Sequence, residues 1–478
     1  MNDTSTSIKN FLEIPYDKLE ELNTKAEQNR DSVPLEEQER EYRIYLEKET
    51  CIKAVTVCFS DIEGRFHMLD YDKKFLLVSS DNFTFDGSSI RGFTTQRESD
   101  LRLSIDWTSF YWLPSDLFGP GKVIVFGNIL NREGRQYESD FRGLLQNYLQ
   151  GLKQKEGLTV FSSPEIEGFL FEGLNAEQYF QANTGFKLVT TGGYFHSLPM
   201  GPLRQFIDAS AEAQRAMGFR NEKDHPEVAP SQFEMNFSYS EALRACDHVQ
   251  LYKLVCRTAA YKMGMTASFL PKPLMGINGS GMHINLSLAK KGKNIFYDKN
   301  GEEKLSAVAW DFISRILNYA PEMCLVLNSS VNAYRRLDPK FEAPNQIKVS
   351  SIDRGSMVRI PVGNGKTSRI ELRSVAPDAN PYLLLYTIIQ VGLKGSKLPV
   401  SDKRDRLRLL PGTIYDAIKV FKQSDFMRKI LGERNVEKFV EFKQIVADRS
   451  PKELGNRIKT SEVIYHHEVA NQALWNTF

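Results

Sequence analysis

The sequence predicts an α+β protein in which a small β-rich unit precedes a larger unit that mixes strands with helices. Three observations support this. Residues 1–50 are rich in Glu, Lys, Arg and Gln, and "YDKLEELNTKAEQ" and "LEEQEREYRIYLEKE" repeat apolar residues at helical spacing with polar faces between them. From residue 51 the texture turns to β-branched alternation, as in "AVTVCFSDIEGRFHML", with its turn-like Asp-Ile-Glu-Gly, and "KVIVFGNIL". After the turn-rich "NREGRQYESD", strand-like runs such as 165–171 and "GMHINLSLA" alternate with helical stretches such as "RQFIDASAEAQRAMG" and "AVAWDFISRILNYAPEM". The expected organisation is a helical N-terminal extension over 1–50, a β domain over 51–135 and a large domain over 136–478.

Composition narrows the function classes. With 478 residues, 41% apolar and 26% charged, the chain reads as an ordinary globular protein with room for a large core. Lys plus Arg total 62 and Asp plus Glu 60, so a net charge of +2 offers no global attraction to nucleic acid or membrane. The five cysteines, Cys51, Cys58, Cys246, Cys256 and Cys324, show no C-x-x-C spacing, which predicts reduced thiols in a cytoplasm. No charged start leads into an apolar h-region and no membrane-length apolar run occurs, so neither export nor a span is expected.

Chemistry concentrates in five stretches. In "FSSPEIEGFLF", Glu165 and Glu167 are two residues apart in a strand-like run and share one face. Such a pair fits either a wet strand face or a site where a cation or arginine relieves the repulsion. In "HPEVAPSQFEMNFSY", Glu227 and Glu234 flank a Pro-containing bend, equally readable as surface residues. "NGSGMHINLSL" sets Asn278, Gly279, Ser280 and Gly281 in a flexible turn before His283, which fits a core histidine as well as a ligand. "TSRIELRSV" puts Arg369, Glu371 and Arg373 on one face, as a salt-bridge ladder or a functional cluster. Last, "NSSVNAYRRLDPKFEAP" carries Arg335, Arg336 and Glu342, and "SSIDRGSMVRIPVGNGK" adds Arg354, Arg359 and Lys366, cations spread singly among small and apolar residues. Several carboxylates favour Mg²⁺ or Mn²⁺, and with scattered guanidinium groups they suggest phosphoryl transfer from a nucleotide. No P-loop or dinucleotide fingerprint is present.

These residues, with "FDGSSIRGF" at 85–93, "PKPLMGINGSGMHINLSL" at 271–288 and "RIELRSVAPDANPYL" at 369–383, make the chain resemble bacterial glutamine synthetases of the type I class, over about residues 53–400. The resemblance implies a β-grasp N-terminal domain and a catalytic domain built on an antiparallel, curved half-barrel sheet with flanking helices. It implies one metal site of Glu167, Glu227 and Glu234, and another of Glu165, His283 and Glu371. Asn278, Gly279, Arg336 and Arg359 would hold glutamate, with Arg354, Arg359, Arg373 and Lys366 around the phosphates. Tyr239, Ser287, Lys366 and Arg369 would face ATP. Asp86 would take a proton from ammonium, and Glu342 would close over the intermediate. The implied partners are glutamate, ammonium, ATP and further copies of the chain in a dodecamer of two stacked rings, with active sites between adjacent subunits.

Some positions depart from the family pattern. Gly168 stands where a bulky apolar residue is usual, which predicts looser packing behind the strand. Pro226, Asn285, Asn328 to Ser330 and Arg91 also differ, and no Asn-Leu-Tyr segment of the kind adenylylated in some members is present. The rival readings are a glutamate–amine ligase of the same fold, such as one using a polyamine, and a catalytically silent sensor ring. Asp86 within Phe-Asp-Gly-Ser-Ser argues against the first, and the intact set of ligands and arginines against the second.

Overall fold

The computed structural model describes residues 14–454 except 80–82, 91, 97–98, 180–184, 198–200 and 399–406, and it leaves out the side chains of 449–454. Arg91, the first thirteen residues of the N-terminal segment and the charged run 401–406 lie outside the described residues.

Among the described residues, five strands form the first sheet: β1 (Ala54–Ser60), β2 (Phe66–Asp72), β3 (Phe83–Asp86), β4 (Asp100–Trp112) and β5 (Val123–Leu130), in the order β2-β1-β5-β4-β3. β1 and β5 run parallel at the centre and the remaining pairs antiparallel, the arrangement of a β-grasp. The two N-terminal helices, Tyr16–Ser32 and Leu35–Lys48, complete its core instead of standing apart. Leu19 and Leu46 are buried against the sheet, the Tyr42 ring stacks on Phe110 at 4.5 Å, and Trp112 Nε1 donates to Tyr45 Oη at 2.9 Å. Their apolar stripes are what bury them: an amphipathic helix is stabilised chiefly by the face it packs.

The Asp-Ile-Glu-Gly turn between β1 and β2 ties this sheet to the rest of the chain. Asp61 Oδ1 accepts from the Glu63 and Arg65 amides at 2.9 and 3.0 Å, and Asn380 Nδ2 donates to the Asp61 and Ile62 carbonyls, both at 3.1 Å. Gly64 is required there: its φ is +88°, and a Cβ would stand 2.6 Å from Asn380 Cα.

The second sheet has ten strands among the described residues. They are β6 (Leu158–Glu172), β7 (Asn221–Pro226), β8 (Gln232–Phe237), β9 (Ser240–Glu241), β10 (Met265–Ser268), β11 (Met282–Lys290), β12 (Lys293–Asn294), β13 (Gln346–Ser350), β14 (Ser356–Arg359) and β15 (Ile370–Leu372). The main path runs β13-β14-β15-β11-β6-β8-β7, antiparallel except for β13 with β14. Helices cover its buried face, foremost Ala242–Lys262, most of whose residues are buried.

Gly168 overturns one expectation. The space its missing side chain leaves is filled by the cross-strand Phe233, which is fully buried, and a Cβ on Gly168 would lie 2.5 Å from Phe233 Cζ. Packing behind the strand is thus tight. Gly168→Ala is expected to destabilise the fold by about 1–3 kcal/mol through overpacking, read from a lower urea midpoint; an unchanged midpoint would mean the ring moves freely.

Candidate active site

Burial along β6 alternates from Leu158 to Glu167, so Thr159, Phe161, Ser163, Glu165 and Glu167 look out of one face while their neighbours enter the core. Register then decides what meets them. His283 of β11 pairs with Glu165, Glu371 of β15 with Asn285, and Glu234 of β8 with Glu167. His283 Nδ1 lies 3.6 Å from Glu165 Oε2 and 3.8 Å from Glu371 Oε1, and its Nε2 lies 3.8 Å from Glu167 Oε1.

Two groups of donor atoms result. Glu165, His283 and Glu371 bring one donor each within 4.8 Å of one another, and so do His225, Glu227 and Glu234. Glu167 stands between them. Its Oε2 accepts from the Gly281 amide at 2.8 Å and from Gln232 Nε2 at 3.2 Å. Burial, then the charge of Glu234, push the Glu167 carboxyl up to about 8. Burial and Glu167 push Glu227 up to about 7, and burial, then Glu165, raise the Glu234 carboxyl well above its ordinary value. His283 is held neutral, first by burial and then by Arg373. Carboxylates that are buried and crowded lack positive charge, and a neutral imidazole beside them has a lone pair to give. The donor set fits divalent cations.

Cations of the chain fill only part of that deficit. Glu371, 1% exposed, accepts from Arg359 Nη1 at 2.6 Å and from Arg373 Nη1 at 2.5 Å. Arg369, expected on the same ladder, turns away: its Nε donates to Asn285 Oδ1 at 2.8 Å, and Asn285 Nδ2 donates to Glu165 Oε1 at 2.9 Å. Arg336 is buried and donates to the Val375 and Arg373 carbonyls at 3.1 and 2.9 Å. A Cβ on Gly281 would come within 2.4 Å of Arg336 Nη2, so this glycine serves close approach, not a left-handed turn. Asn278 Nδ2 donates to Glu342 Oε2 at 2.9 Å, and Glu342 has φ 60° at the end of a short turn. Lys272 Nζ lies 4.0 Å from the centroid of Phe341 beside it.

Next to Glu165 opens a cavity of about 210 Å³. Tyr239, Ser287, Lys366 and Arg369 all line it, as does Asn285. Tyr239 meets Phe161 edge-on with centroids 5.5 Å apart.

Asp86 is not brought to these groups. It ends β3, is fully exposed, and accepts from the Ser88 amide and hydroxyl at 2.8 and 2.6 Å and from the Ser89 hydroxyl at 2.5 Å. Those bonds, Ser88 first, hold its carboxyl below the ordinary value. Two residues near the cluster escaped the sequence reading. His225 joins Glu227 and Glu234, and the His-x-Glu spacing at 225 and 227 was the available signal, equivalent to that of Glu165 and Glu167. Tyr194, whose ring stacks on Phe195 with centroids 3.8 Å apart, feels the charges of Glu227 and Arg354; a lone Tyr-Phe pair carries no comparable signal.

Comparison with known proteins agrees with this architecture. Residues 51–132 match the family model described as the glutamine synthetase β-grasp domain, and residues 138–455 match that of the glutamine synthetase catalytic domain. Glutamine synthetase of Thermus thermophilus is 36% identical over 429 residues, covering 83% of this chain and 92% of its own. That of Methanosarcina mazei is 37% identical over 406 residues, covering 81% and 89%. The Plasmodium falciparum glutamine synthetase structure superposes with a TM-score of 0.78 at 21% identity, covering 88% of this chain and 98% of its own, which speaks for the fold. With both domain models matched in order and relatives alike over most of their length, the chain belongs to the glutamine synthetase family.

Proposed function

We propose that the protein is a glutamate–ammonia ligase: it joins ammonia to the side-chain carboxylate of L-glutamate with ATP, giving glutamine, ADP and phosphate, and so assimilates nitrogen. The observation that carries this reading is the pair of crowded carboxylate groups set between buried arginines and a cavity lined by Tyr239, Ser287, Lys366 and Arg369. Family membership supports it. The domains are read as 1–50, 51–135 and 136–478, in line with the matched ranges 51–132 and 138–455.

In the reaction, an oxygen of the glutamate γ-carboxylate attacks the γ-phosphorus of ATP, the bond to the β-phosphate oxygen breaks, and ADP leaves. Ammonia then attacks the γ-glutamyl phosphate, phosphate departs, and the nitrogen loses its extra proton. We assign Glu165, His283 and Glu371 to one metal site and Glu167, Glu227 and Glu234 to the other, with His225 at the edge of the second; the oxygen-rich set suits Mg²⁺ or Mn²⁺. When bound, such ions neutralise phosphate charge. Arg336, Arg359, Asn278 and Gly279 bind glutamate in this reading, and Arg354, Arg373 and Lys366 stabilise the moving phosphoryl group. Glu342, already held by Asn278, closes the site and excludes water. Asp86 accepts the ammonium proton; it belongs to neither donor group of its own chain and its hydrogen bonds stay within its own turn, which supports a site completed by a neighbouring subunit, hence a ring assembly, which we take as a dodecamer of stacked hexamers. The five free cysteines support a reducing, cytoplasmic setting. Among the described residues no helix is long and apolar enough to cross a membrane.

ATP turnover with glutamate, measured with ammonium, putrescine or ethylamine as acceptor, tests the proposal. Ammonium is expected to be strongly preferred; faster turnover with an amine would reassign the enzyme as an amine ligase. Metal binding should also depend on pH. A carboxyl raised to about 8, as Glu167 is, or to about 7, as Glu227 is, stays protonated below that value, and an entering cation displaces the proton. Affinity should therefore tighten as pH rises toward about 8 and level off above it. Calorimetry in buffers of different ionisation enthalpy should register proton release near neutrality; none would contradict the crowding.

A further inference from the structure

Lys272 has no part in the chemistry assigned above, yet it stands where two pieces of the site meet. It is buried, and its main chain is fixed from behind: the Lys272 amide donates to Asn332 Oδ1 at 2.6 Å, and its carbonyl accepts from Asn332 Nδ2 at 2.9 Å. Asn332, itself buried, belongs to the helix Val331–Arg336, which also supplies Arg336. From this anchor the side chain reaches in two directions. Its Nζ donates to the carbonyl of Ile277, the residue before Asn278, and lies 4.0 Å from the ring centroid of Phe341, the residue before Glu342.

The two contacts serve different partners. The turn 277–280 lies on residues 271 and 272: the Ser280 amide donates to the Pro271 carbonyl at 2.8 Å, and a Cβ on Gly279 would collide with that same oxygen. With Nζ on the Ile277 carbonyl, both ends of the turn are tied down. The segment that closes over them has less support of its own. Pro339–Phe341 is a single 3₁₀ turn, and Glu342 after it is exposed and left-handed at φ 60°, a backbone state that a residue with a side chain keeps only where its surroundings hold it. Asn278 holds the Glu342 carboxylate at 2.9 Å, but a single hydrogen bond at an exposed tip contributes little net stability in water. A cation over an aromatic face strengthens as it is desolvated. Burial, above all, brings the Lys272 ammonium down to about 8, so it is desolvated and still charged at neutral pH.

We propose that Lys272 is a positioning residue: by bridging the Ile277 carbonyl and the Phe341 ring it latches the Glu342 flap over the substrate turn and keeps water from the γ-glutamyl phosphate. The latch rests on the ligase reading. With it open, a water oxygen attacks the γ-carbonyl carbon, the bond from that carbon to the phosphate oxygen breaks, and glutamate, phosphate and a proton are released. ATP is then consumed without glutamine forming.

ADP and glutamine would be measured together for the full-length protein supplied with ATP, glutamate, ammonium and Mg²⁺. Lys272→Met keeps the stem and removes the charge; Phe341→Leu removes the ring and leaves the Ile277 carbonyl its donor. Each should raise the ADP formed in excess of glutamine by about two- to thirtyfold, the span of a cation–π contact from exposed to desolvated. The double variant should be no worse than the worse single one, because both break the same contact. Lys272→Arg, which still sets a cation over the ring, should keep the excess near that of the unmodified protein. Phe341 is half-buried on a short turn, so its replacement decides the matter should Lys272→Met fail to fold. Variants that make less glutamine while ADP and glutamine stay equal would overturn the proposal, since a merely structural lesion slows both together. So would excesses that multiply in the double variant, which would mean that the two side chains act apart. An unmodified protein that forms no glutamine would overturn the ligase reading and the latch with it; one that forms glutamine beside equally well-coupled variants would overturn the latch alone.

Discussion

Replacing Glu371 by glutamine is expected to lower turnover on the order of 10³-fold and to remove the divalent ion from the site it shares with Glu165 and His283. Glutamine keeps the shape and removes the charge. The side chain is 1% exposed and serves Arg359 at 2.6 Å and Arg373 at 2.5 Å, so the variant strands two guanidinium groups as well as losing a donor. Breaking such a buried arrangement costs about 3–5 kcal/mol, which should appear as a lower urea midpoint in the metal-free protein. Metal titration separates the two effects, because a purely structural lesion would leave the number of ions bound unchanged. Near-normal turnover with the full complement of metal would remove Glu371 from the chemistry.

Asp86→Ala should lower turnover about 10²- to 10⁴-fold at the ammonia step while leaving glutamate affinity near normal. Equal losses in both would argue for a structural role, since Asp86 also caps the turn at Gly87–Ser89. The stronger test is complementation with Glu342→Ala. Glu342 belongs to the cluster of its own chain through Asn278, whereas the hydrogen bonds of Asp86 stay within its own turn. If adjacent subunits build each site, co-expressing the two variants places both intact residues in about one quarter of the sites, and activity should return to about that fraction. Mixed assemblies as inactive as either parent would mean that both residues act within one chain.

Several features of the site could be read from local pattern. Glu165 and Glu167 share a face because strand side chains alternate, and the burial of β6 follows that period. Glu371 between two arginines was half legible: Arg373 follows the period, but the second guanidinium comes from Arg359 on the adjacent strand, while Arg369 turns to Asn285. The glycines of "NGSG" were legible as special but for another reason, since Gly281 makes room for Arg336. Gly168 misled because its replacement volume, Phe233, lies on a different strand. The N-terminal helices were readable as helices, yet nothing in their spacing named β4 as the surface they cover.

The amino-acid order by itself determined which residue types are available and which neighbours share a strand face: an acidic pair, a histidine after a glycine turn, an arginine-flanked glutamate. Those are consequences of a backbone period of two, which operates over a few residues. The family resemblance implied that Glu165, His283 and Glu371 converge; only the tertiary structure decided how they do, that His225 joins Glu227 and Glu234, and that Asp86 stands in neither group. Convergence depends on the register among β6, β8, β11 and β15, and a slip of one residue would turn each donor to the opposite face. That register is held by long-range burial of the other face against helices, which no short stretch of sequence contains.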